Sequence, residues 1–274
     1  MRKILKSYLG VAGLAIIVLF FLAQALAPKV APYEPTQMQP GNLLAAPSSQ
    51  HVLGTDGFGR DILSRLLYGG RVSFVVSILS TLVALFFGTT TGLVAGFFGG
   101  WVDTVLMRFM DIILAFPALL LAISIMAVLG QSELNIVLAI GVVYIPQFAR
   151  LTRGSALAVR NLEFVEAARA LGARPLRVML RHIAPNIVAP LLVQMSLTIS
   201  LAVLYESALS FLGLGTQPPT PSWGNMLSES RRYMELAPWT AVAPGAAIML
   251  VVLGFNLLGD GLRDVLDPRL RGRI

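Results

Sequence analysis

The chain has 274 residues, of which 56% are hydrophobic and only 13% charged, with a mean hydropathy of +0.76 and a net charge of +7. A soluble domain carries about a quarter charged residues, so most of this length belongs in lipid, and the positive charge reads as membrane topology rather than as a nucleic-acid footprint. No cysteine is present, which excludes disulfides, thiolate zinc sites and cysteine nucleophiles, and none of the three lysines (Lys3, Lys6, Lys29) completes a phosphate-binding glycine loop, so any ATP use falls to another subunit.

The first predicted span, Tyr8 to Ala27, is twenty residues without a charge, preceded by Arg2, Lys3 and Lys6. Ala25-Leu26-Ala27 leaves cleavage as a signal peptide open, although the apolar run is long for one. Residues 28–71 are polar and open with Pro28, Pro32, Pro35, Pro40 and Pro47, which prevents regular structure. They end in a short helix expected to lie in the membrane interface, with Ile62, Leu63, Leu66 and Leu67 on one side and an Asp61–Arg65 pair on the other. Asp56 and Asp61 read as solvated turn and cap residues. The second span, Val72 to Phe98, places Gly88, Gly92 and Gly96 on one ridge for close approach of a helix in the same chain.

The third span is predicted from about Ile112 to Leu129 with a kink at Pro117, and Arg108 and Asp111 form a boundary ion pair before it. The fourth runs from Leu134 to Ala149 and is its antiparallel neighbour. A polar interruption follows, with seven arginines between Arg150 and His182. It reads as two short helices separated by a turn: Asn161 as N-cap with Glu163 in the first turn, Gly172 as a left-handed stop, and Pro175 opening the second helix. The fifth span, Ile187 to Leu212, contains Pro190, Gln194 and Glu206. Nineteen residues at about 1.5 Å each put Glu206 roughly 29 Å above the span's start, near its outer end. There it either reaches lipid head groups or faces a pathway. Residues 213–237 form a second outer segment, and the sixth span is Thr240 to Leu258.

Six spans put both termini on one side. The terminal segments, the loop before the third span and the polar interruption hold 15 of the 21 arginines and lysines, which makes that side cytoplasmic. The expected organisation is an all-α integral membrane protein with six transmembrane helices. Residues 1–71 hold the first span, the extracytoplasmic segment and the interfacial helix. Residues 72–274 hold a five-helix core with the cytoplasmic loop at 151–186.

Several stretches carry a resemblance. They are His51–Asp61, the entry to the third span at Trp101–Pro117, Glu166-Ala167-Ala168 followed by Gly172 and Pro185, Ser207–Met226, and the carboxyl-terminal tail. Together they resemble permease subunits of ABC importers in the dipeptide, oligopeptide and nickel branch. Val52 and Ala184 stand where that family more often has proline and leucine. The resemblance implies a type I ABC importer permease fold in the inner or plasma membrane, with the loop acting as coupling helices against a cytoplasmic ATPase. It assigns Glu166, Ala167, Ala168, Arg169, Gly172, Arg174 and Pro175 to coupling. Glu206 and Gln194 fall to the pathway or gate, and Gln217, Pro218, Pro219 and Trp223 to docking of a binding protein. The implied partners are a second, homologous permease, two ATPase subunits that hold ATP and Mg, and an extracytoplasmic substrate-binding protein. Peptides are the expected cargo, with nickel chelates or glutathione-like molecules as alternatives. A stand-alone secondary transporter is disfavoured because Glu206 is the one ionisable residue within the six predicted apolar spans.

Overall fold

The computed structural model describes residues 7–266, and within them the apolar runs are helical with no sheet. Arg2, Lys3 and Lys6, and the tail at 267–274, lie outside the described residues. The helices are α1 (Tyr8–Ala25), α2 (Ile62–Phe98), α3 (Gly100–Leu114), α4 (Ala118–Leu129), α5 (Glu133–Arg160), α6 (Glu163–Ala170), α7 (Val188–Phe211), α8 (Trp223–Ser230) and α9 (Trp239–Leu266). Hydroxyl or carboxylate caps start several of them: Ser7 accepts from Gly10 N, Asp61 from Ser64 N, Ser132 from Asn135 N and Ser222 from Asn225 N.

Five helical runs are long and apolar enough to cross a membrane, and α3 with α4 makes a sixth candidate only as a pair bent by 88°. The expected kink at Pro117 is therefore a break. Pro117 sits in extended backbone (ψ 127°), and the twelve residues of α4 span only about 18 Å, short of a hydrocarbon core of about 30 Å. Ahead of the break, α3 leaves Trp101, Val105, Phe109 and Ile112 exposed. Its charged side is tied to α5, through Asp103–Arg153 at 2.5 Å and Asp111–Arg150 at 2.7 Å. The predicted Arg108–Asp111 pair is the longer contact, at 3.9 Å.

A second correction concerns residues 62–71. They are the first turns of α2, which continues unbroken for 37 residues, so a boundary at 71/72 falls inside one helix. Gly69 and Gly70 do not turn the chain there. They let Ser222, Trp223 and Gln24 approach the helix closely. Likewise, residues 151–160 belong to α5, and Pro175–Ile187 leads through a π-helical turn directly into α7.

The ridge of Gly88, Gly92 and Gly96 packs on α5 of the same chain, against Ile145, Phe148, Ala149, Thr152, Arg153 and Ala156. A Cβ at Gly92 would run into the Ala149 carbonyl and the Thr152 side chain, both on a helix that cannot yield locally. Gly92→Leu is expected to destabilise the protein by about 1–3 kcal/mol or more. Gly154→Leu, where nothing lies within 4 Å, should be neutral. Thermal unfolding of the detergent-extracted protein distinguishes the two. Two buried clusters follow from this arrangement. One joins α2, α4, α5, α6, the Pro175–Ile187 run and α7 around Ile140, Tyr144, Phe148 and Ile183. The other joins α2, α7, α8 and α9 around Ile62, Phe74, Trp223 and Phe255.

Candidate functional site

The polar interruption is a fastened lever. Only Asn161 and Leu162 separate α5 from α6, and Leu162, not Asn161, occupies the N-cap position of α6, while Asn161 ends α5. Val165 is the one fully buried residue of α6, and it packs with Val178, Met179 and Ile183. Gly172 adopts φ +78°, the left-handed stop expected of it, and Pro175 opens the next helical turn. Arg160 donates to the Gly96 and Phe97 carbonyls at the end of α2 (3.2 and 3.1 Å), where the helix leaves carbonyls unpaired. The Arg169 guanidinium lies 4.8 Å from the Phe97 ring centroid. The lever is thus attached to α2, α5 and α7 together.

Its outer face is open. Glu166, Ala167, Arg169, Gly172, Arg174 and Pro175 are exposed and Ala168 is half-buried. Among these charges stand exposed Leu162, Phe164, Leu176, Leu180 and Leu171, the last 88% exposed. Large apolar side chains exposed between arginines and glutamates are the composition of a protein interface. That apolar exposure was not read from the sequence, because only the fold separates Val165 from its neighbours.

At the other end of the chain, the stretch His51–Arg65 folds into a buried polar network. His51 Nδ1 lies 2.9 Å from Asp61 Oδ1. Asp56 accepts from the Phe58 and Arg60 amides and pairs with Arg60 (2.7 Å) and with Arg65. Glu229, from α8, closes the network on Arg60 at 2.6 Å and Arg65 at 2.7 Å. The expectation of solvated aspartates and an Asp61–Arg65 pair is overturned: both aspartates are buried, and Arg65 turns instead to Asp56 and Glu229. Two carboxylates here neutralise two arginines, which is what burial of such groups demands.

Glu206 also differs from expectation. It lies near the C-terminal end of α7, but it is 0% exposed and faces neither lipid nor an open path. Ser73 of α2 and Ser210 donate to its carboxylate at 2.7 and 2.8 Å. It knits α2 to α7 inside this chain. Gln194 is half-buried and donates to Gln147 of α5 (3.3 Å) and Thr198 (3.2 Å), so a polar pair, half of it unread from sequence, bridges two spans. Gln217, Pro218 and Pro219 are exposed. Trp223 is not a surface residue. It is 1% exposed, donates its indole N–H to the Leu66 carbonyl at 3.0 Å and meets Phe20 and Phe74 edge-on. Its large ring anchors α8 onto α2.

Comparison with known proteins agrees with this architecture. Residues 88–272 match the family described as binding-protein-dependent transport system inner membrane component. Residues 1–47 match the N-terminal TM domain of oligopeptide transport permease C. The chain is 47% identical to the dipeptide transport system permease protein of Alkalihalophilus pseudofirmus, over 98% of this chain and 89% of that one. It is 46% identical to the di/tripeptide transport system permease protein of Pseudomonas aeruginosa (97% and 89%). It is 44% identical to the glutathione transport system permease protein of Pectobacterium atrosepticum (98% and 90%).

Proposed function

Because this chain belongs to the family of binding-protein-dependent transport system inner membrane components, a multi-pass permease of the ABC importer type, we propose that it forms one half of an ATP-driven pathway for short peptides. The names of its dipeptide and di/tripeptide relatives support the cargo, and the glutathione relative supports a second reading in which the cargo is glutathione-like. The other half would be a second, homologous permease. Two cytoplasmic ATPase subunits would hold ATP and Mg, and an extracytoplasmic binding protein would deliver the cargo. The bias of arginine and lysine supports cytoplasmic termini and a cytoplasmic α6.

One observation carries the coupling role: α6 is anchored by a single buried side chain, and the rest of its surface is open, with apolar residues among the charges. A partner that grips this face moves α5 through two residues, α7 through the Pro175–Ile187 run, and α2 through Arg160 and Arg169. Closing two ATPase subunits would then tilt three helices at once, an alternating-access motion in which packed helices shift as bodies. In proteoliposomes holding the complete complex, uptake of a radiolabelled dipeptide is expected to require both ATP and the binding protein. The purified chain alone should hydrolyse no ATP. ATP-independent uptake by this chain alone would overturn the proposal in favour of a secondary transporter.

A further inference from the structure

Beside the buried network lies a cavity of about 300 Å³, between residues 56–58, the start of α2 and the segment from α8 to the start of α9. Resting on the reading above for its partner, we propose that this cavity receives a carboxylate side chain from the extracytoplasmic binding protein.

The groups around the cavity are complementary to an anion. The two carboxylates that reach it, Asp56 and Glu229, are both engaged by Arg60 and Arg65. What remains is donors. Arg65 Nε is buried and has no hydrogen-bond partner among the described residues, an uncommon state for such a group. Arg232 and Tyr233 stand on the cavity wall, and neither side chain pairs with a polar group among the described residues. Gly57 leaves room for the Tyr233 ring, since a Cβ there would lie 2.6 Å from the ring and 3.0 Å from its hydroxyl oxygen. With the network's own charges balanced, Arg232 gives the site one surplus positive charge, and a carboxylate accepts charge-assisted hydrogen bonds from arginine and a further bond from the tyrosine hydroxyl.

The rim identifies the source. Phe58, on the cavity wall, is exposed, and exposed Met234 and Leu236 lie within three residues of Tyr233 in the segment before α9. A small free peptide would leave these side chains in water, whereas a docked protein surface buries them around a central charged contact. Arg231, next to Arg232 in the chain, is exposed, and its guanidinium rests 5.2 Å from the Phe211 ring centroid at the end of α7.

The test uses the complete complex in lipid nanodiscs and its own peptide-loaded binding protein. Arg232→Glu is expected to weaken binding of that protein about ten-fold or more, with a smaller loss for Tyr233→Phe. ATPase activity without the binding protein should stay at the wild-type level. Lysine substitution of one acidic surface residue of the binding protein should restore affinity for the Arg232→Glu complex, which a merely structural role for Arg232 would not permit. Because the chain has no cysteine, Arg232→Cys offers a single attachment point for a photo-crosslinker, which should capture the binding protein. Unchanged affinity of the Arg232→Glu complex, or capture of the second permease instead, overturns the proposal. So does protection of the Arg232→Cys thiol by free dipeptide alone. A wild-type complex that fails to bind the protein overturns instead the transport reading on which it rests.

Discussion

Gly172→Pro is expected to leave the permease in the membrane at wild-type levels and to abolish uptake. The native residue holds φ at +78° and donates its N–H to the Arg169 carbonyl at 2.9 Å. Proline fixes φ near −65° and has no N–H, so the chain can no longer turn from α6 toward Pro175 along the same path. Nothing lies within 4 Å of where a Cβ would stand, and the position is exposed, so the lesion is one of backbone geometry and not of packing. The spans are untouched, and α6 is re-aimed relative to α7. Gly172→Ala should be milder, at about 1–2 kcal/mol of local strain. Gly172→Asn should be the mildest, because asparagine enters the left-handed region more readily. Dipeptide uptake and binding-protein-stimulated ATPase activity, normalised to the amount of inserted permease, measure the series. Full uptake by Gly172→Pro would reduce the segment to a determinant of topology.

Asp56→Ala is expected to have the largest effect on stability. Asp56 accepts two backbone amides and pairs with two buried arginines, and its loss leaves Arg60 and Arg65 sharing Glu229, whose side chain is 26% exposed. Removing one partner of a buried ion pair costs about 3–5 kcal/mol, because the other charge stays buried without compensation. Glu229→Ala should cost less, since water can approach from its side. The network also pins α8 to the start of α2, so its failure should loosen residues 213–237 as a whole. A lowered unfolding midpoint, with faster proteolysis within residues 213–237, is the expected result. A wild-type midpoint would show that water replaces the carboxylate.

Several features of the site were legible in the sequence because local chemistry decides them. Gly172 and Pro175 punctuate the lever as their backbone preferences require. The apolar runs marked five of the spans, and the place of Glu206 near the C-terminal end of its helix followed from counting residues. What was not legible depends on contacts between distant residues. Glu229 lies 164 residues from Arg65, and no local pattern announces that pairing. Ser73 is 133 residues from Glu206, and its hydroxyl turns a carboxylate that reads as exposed into one held inside the chain. The boundary at 71/72 and the kink at Pro117 erred in opposite directions. Gly69 and Gly70 sit within an unbroken helix because neighbours need the space, and the proline ends a helix outright. Trp223 looked like a surface aromatic in a proline-rich loop, yet its ring fills the gap between α8 and α2.

We propose that the ATPase grips the open face of α6 and its turn. Leu171→Cys places a single thiol at an apolar side chain that is 88% exposed in a chain otherwise free of cysteine. In inverted membrane vesicles holding the full complex, oxidation should link this thiol to a cysteine introduced in the helical surface of the ATPase subunit. ATP should change the yield, and an impermeant thiol reagent should fail to reach position 171 in intact cells. Labelling from outside intact cells, or a link to the binding protein instead of the ATPase, would contradict the account.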